Sequence, residues 1–107
     1  LGGLRTLTAR GSISGKRTAI ALTQKKPARA AGGTMTIEGL EPMTIGVLQA
    51  ANGWASVSAV SGSHAVNAIV DLHDPHNPGA ATIAVNRDGY PWLRGSLPAA
   101  AVSITRQ

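Results

Sequence analysis

With 107 residues the chain is long enough to enclose one hydrophobic core and too short for two. Hydrophobic residues make up 43% of it and charged residues only 14%, against roughly 25% charged in ordinary soluble proteins, so its surface must be dominated by small uncharged side chains. The absence of cysteine excludes a disulfide framework and thiolate metal sites, and the net charge of +5 favours acidic over basic partners.

The charge is unevenly spread. Up to Arg29 there are seven basic residues and no acid, whereas the remainder holds three basic and five acidic ones, so the positive field belongs to the region 1–29. Trp54, Tyr90 and Trp92 are the only aromatics. The core is therefore expected to be built from Val, Ile, Leu and Ala, which individually bury less area than aromatic rings. No stretch approaches the roughly 20 apolar residues of a membrane span.

In chain order, short runs of period-two character rich in Thr, Val and Ile predict strands over 4–10, 17–24, 33–39, 43–51, 54–60, 65–72, 81–87 and 101–106. Between the second and third, KKPARAAGG reads as a mobile loop or arm around 24–33, with Pro27 and two glycines opposing regular structure. Asn52-Gly53 joins the fourth and fifth runs and predicts a tight hairpin, because this pair tolerates the positive φ angles of the turn. SGSH breaks the chain after the fifth run and RDG turns it after the seventh. YPWLRGSLP follows, where Pro91 and Pro98 remove backbone donors and suit an edge or an irregular crossing. About eight short strands with regular turn signals predict one all-β domain over 1–107. It would be a single antiparallel β-sandwich, Ig-like or jelly-roll-like, or a small barrel.

DLHDPHNPG, 71–79, concentrates more potential ligands than any other stretch. Asp71, His73 and His76 are its candidate metal set, and His64 is a further ligand within reach in principle. Pro75 and Pro78 bias their predecessors to extended geometry and oppose convergence. The residues are better explained as turn formers, with His73 and His76 exposed for contact with a neighbour and free to titrate near neutrality. GSISGKRT, 11–18, departs from the phosphate-loop pattern in both glycine spacing and the residue after Lys16. Ser61, Ser63, His64 and Asp71 supply the residue types of a nucleophilic triad without the sequence context of one. With only five carboxylates, an acid/base pair has little to draw on, and solvation is the ordinary reading of Glu38 and Glu41. An enzyme is not expected, nor a cofactor.

Tyr90 and Trp92 beside Arg94 form the expected contact patch, since Tyr, Trp and Arg are enriched at interface anchors. The equal alternative is that Trp92 closes one end of the core. Lys16, Arg17, Lys25, Lys26 and Arg29 are the candidate contacts to an acidic protein surface or nucleic acid. The leading expectation is a structural domain that packs with copies of itself or with a virion shell, tail, decoration layer or surface filament. The alternatives are a secreted or surface Ig-like binding module using DLHDPHNPG and RDGYPW as contact loops, and an electrostatic nucleic-acid binder.

Overall fold

The computed structural model describes residues 4–23, 32–51, 53–72 and 79–106. These form β1 (Leu4–Ile13), β2 (Lys16–Thr23), β3 (Gly32–Ile37), β4 (Met43–Ala51), β5 (Trp54–Ser61), β6 (His64–Asp71), β7 (Ala81–Arg87), β8 (Tyr90–Leu97) and β9 (Val102–Arg106). A single 3-10 turn, Ala99–Ala101, separates the last two. The fold is all-β, with one strand beyond the eight expected, over Tyr90–Leu97. There Pro91 sits at a register shift, and β8 lies at the margin of the sheet, which is where a residue without a backbone donor is tolerated.

The strands hydrogen-bond in the order β8-β7-β6-β5-β4-β3-β2-β1-β9, all antiparallel. From β1 to β8 each strand pairs with the next in sequence. This up-and-down meander curls into a nearly closed barrel-like sheet, within the expected sandwich-or-barrel class, and pairs neighbours in sequence where Ig-like and jelly-roll domains use Greek-key connections. Two-residue turns hold it in register. Ser14-Gly15 and Asp88-Gly89 have positive φ at both positions, as a I′ hairpin requires, and Gly53 takes φ 79° beside the Ala51 and Trp54 pair that closes the expected β4–β5 hairpin.

Closure happens at two unlike junctions. Between β3 and β4 only Thr34↔Thr44 and Met35↔Met43 are paired, after which β4 shifts register near Gly46 and continues with β5. Two methionines fill this corner, a place for flexible side chains. At the opposite junction β1 is flanked along its length by β9 and β8 in turn. Its first part pairs with β9 from Leu4↔Arg106 to Ala9↔Val102, and its last part lies against β8. A Cβ on Gly11 would sit 2.7 Å from Leu97 Cδ2 and one on Gly95 2.4 Å from Ile13 Cγ2. Each large side chain therefore occupies the space left by a glycine on the other strand. The Ser14 hydroxyl adds a bond to the Arg94 carbonyl at 3.3 Å.

β3 begins at Gly32, two residues inside the stretch read as a loop around 24–33. Gly33 explains the early start: a Cβ there would fall 2.3 Å from the Ala21 carbonyl oxygen, so only glycine lets β3 approach β2 so closely. The rest of that stretch, with Lys25, Lys26 and Arg29, lies outside the described residues.

Alternate residues of every strand point inward and merge into one buried cluster running from Leu7 and Ile20 through Met35, Ile45 and Val57 to Ile83 and Leu97. The cluster is aliphatic, as expected from the composition, with Met35 and Met43 added. Thr18 is the one buried polar residue among those described, and its hydroxyl donates to the Lys16 carbonyl at 3.2 Å.

Candidate interaction surfaces

A meander alternates its connections between two ends of the barrel. The turns at Ser14-Gly15, 38–42, Gly62-Ser63 and Asp88-Gly89 share one end. The chain leaves the other end after Thr23, Ala51 and Asp71, and β1 starts there. Proximity bears this out: Asp88 N donates to Ser63 O at the first end, and Leu72 N to Gly53 O at the second.

This placement separates residues that sequence reading had grouped. Tyr90 stands at the first end, 76% exposed. His73 and His76 lie outside the described residues, but the strand ends that flank them, Asp71 and Ala81, are at the far end of β7 from Tyr90, roughly 20 Å away at strand rise. The described ends of DLHDPHNPG, Asp71 and Gly79, therefore lie at the opposite end of the barrel from Tyr90. His64 and Asp71 are the first and last residues of β6, roughly 23 Å apart along the strand, so the Ser-His-Asp combination and a His64-assisted metal set are not assembled. Among the described residues no group of three His, Asp or Glu could hold a metal ion. No helix among them is long and apolar enough to cross a membrane.

Trp92 and Lys16, expected in different sites, meet at the first end. The Trp92 ring packs on the core cluster, with the His64 ring edge-on at 4.7 Å and the Lys16 ammonium 5.4 Å from its centroid. Cation–π attraction holds Lys16 there at about 0.5–1 kcal/mol. Trp92 thus closes one end of the core and leaves Tyr90 as the exposed aromatic of its segment. Arg94 is also exposed, and its guanidinium donates to Asn86 Oδ1 at 3.3 Å.

Outward-pointing residues divide the wall into two faces. On β9, β1, β2 and β3 they are mostly threonines with arginines. Arg5 occupies the register shift of β1, and Arg10 and Arg17 sit diagonally across the β1–β2 ladder. The Thr6 and Thr105 hydroxyls bond to each other at 2.5 Å. Arg10 and Arg17, with Thr36 and Glu38, line a shallow cleft of about 480 Å³. Glu38 is more than a solvated turn residue: its Oε1 accepts from the backbone N–H of Arg17 at 3.3 Å and from Arg17 Nε at 3.4 Å. The backbone donor first, and then the guanidinium, hold its carboxyl below the usual glutamate range.

On β5, β6, β7 and β8 the outer face is neutral between its margins. Val60 is 65% exposed, Trp54 44% and Ile69 41%, and Ser56, Ser58, Ala65, Asn67, Thr82 and Ala84 lie among them. Its charged side chains are Asp71 and Arg87 at strand ends and Arg94 on the outermost strand. Sequence reading missed this face, although Val60 and Ile69 fall on the outward phase of their strands, the one available signal.

Fold and surfaces together define a small, nearly closed antiparallel β-barrel with a filled interior and two chemically distinct outer faces. Comparison with protein-family models, with curated proteins and with solved structures returned no match.

Proposed function

We propose that this protein is a non-enzymatic structural subunit that packs with copies of itself or with other subunits of a larger particle, such as a virion shell, tail, decoration layer or surface filament. The observation that supports this reading most is the outer face of β5–β8, where Val60, Ile69 and Trp54 are exposed and no lysine or glutamate is interspersed. Exposed sheet surfaces are normally kept apart by charge. A chain of net charge +5 repels its own copies. They approach at least cost through a face without a central cation, so this one is the natural self-contact.

Its dimensions favour many contacts over one strong pair. Four strands of about eight residues outline roughly 19 by 26 Å at standard spacing and rise. That flat area of roughly 500 Å² is below the about 800 Å² per partner of a standard interface. A single pair is then weak, and repetition in a lattice supplies the stability through avidity.

Light scattering at micromolar concentration with negative-stain imaging tests the reading. Concentration-dependent particles that are lost in Val60→Lys/Ile69→Lys are expected. A well-folded monomer at every concentration, with no partner particle that recruits it, would overturn the proposal.

A further inference from the structure

We infer that the opposite face, on β9, β1, β2 and β3, is a sequence-independent docking surface for the phosphate backbone of nucleic acid. Its outward cations are Arg5, Arg10 and Arg17, and its strands contain no aspartate or glutamate. Arg5, Arg10 and Arg17 are exposed, and outward hydroxyls such as those of Thr8, Thr34 and Thr36 stand beside them. Guanidinium and hydroxyl donors are the groups that proteins direct at phosphate oxygens. Arg10 and Arg17 are diagonal neighbours, about 7–8 Å apart by ladder geometry, and both line the shallow cleft near the β3–β4 turn.

The partner class follows from what accompanies the charge. No aromatic side chain lies on these four strands. Stacking platforms for unpaired bases are therefore missing, as are the aromatic anchors that an acidic protein partner would engage. Among the described residues no helix rises from the face to enter a groove. What remains is contact with a regular array of phosphates. Glu38 lines the same cleft and is ion-paired with Arg17, so the phosphate contacts rest chiefly on Arg5 and Arg10.

The inference does not depend on self-packing, since it uses the other side of the barrel. Fluorescence anisotropy with a short labelled DNA duplex, titrated between about 50 and 200 mM salt, tests it through the slope of log affinity on log salt. The whole chain is expected to bind with a steep slope. Arg5→Gln/Arg10→Gln should lower that slope by about two, and Thr8→Lys should raise it by about one. Circular dichroism checks that each variant is folded. The inference is overturned if the duplex does not bind at the lowest salt, if the folded variants keep the wild-type slope, or if a sulfated polysaccharide binds and the duplex does not. Particles that persist while duplex binding is absent would remove this inference and leave the proposed function standing.

Discussion

The two halves of the barrel wall share one interior and differ outside. Inward residues are aliphatic in both, from Leu7, Ile20 and Leu22 in the first half to Val57, Ile83 and Val85 in the second. Outward residues are mostly threonines and arginines in the first, beside Ser12, Ala19 and Ala21, and mostly Ser, Ala, Asn, Val and Ile in the second. Stability is therefore held in common, whereas surface chemistry is divided. The contrast teaches that a chain with few charges can still be two-faced when most of its cations fall in its N-terminal quarter.

The shared interior is the easiest part of this comparison to break. Leu22→Ala in one half and Ile83→Ala in the other should each cost about 2–5 kcal/mol, because both side chains are almost fully buried in the same cluster. Calorimetry is expected to show a single cooperative transition in each variant. Two separate transitions would mean that the halves fold independently. At the β1–β8 junction, Gly95→Val drives a side chain into Ile13 and should cost about 1–3 kcal/mol in denaturant titration. At the β3–β4 junction, Met35→Leu conserves volume beside Met43 and should cost less than about 1.5 kcal/mol.

Surface changes sharpen the difference between the faces at little cost to folding. Val60→Lys/Ile69→Lys should alter stability by no more than about 0.5 kcal/mol per site. It should nevertheless weaken self-association by about tenfold or more, since burying each apolar side chain contributes about 1.5–3 kcal/mol and the new charges repel. Light scattering measures that loss, and the same variant should retain its salt-dependent duplex binding. The smallest effect belongs to Glu38. The fold lowers its carboxyl pKa, so the carboxylate's contribution is present above the ordinary glutamate range and is lost as pH falls through the lowered value. Glu38→Gln should flatten the dependence of melting temperature on pH on that acid side and leave it unchanged near neutrality.

Much of the wall was legible locally. Val, Ile, Thr and Ala alternation marked every strand except Tyr90–Leu97, where Pro91 and Pro98 masked a strand that survives at the sheet margin through a register shift. Asn52-Gly53 marked its hairpin because a positive φ, as Gly53 takes at 79°, is a local property of such a pair. The candidate surfaces were less legible. Lys16 and Trp92 are 76 positions apart, and no local pattern joins them; the barrel end does. Val60 and Ile69 were hidden because an apolar residue on an outward phase looks, in sequence, like any other strand residue.

By itself the sequence determined the all-β class, the aliphatic core and the excess of basic residues over 1–29. These depend on period, turn chemistry and composition, which neighbouring residues settle among themselves. Only the tertiary structure decided that the meander closes through β9 and β8 against β1, that Asp71 and Tyr90 stand at opposite ends, and that basic and neutral residues occupy opposite faces. Closure depends on steric fit between distant residues, Leu97 over Gly11 and Ile13 over Gly95. Such complementarity exists only once the chain has brought them together.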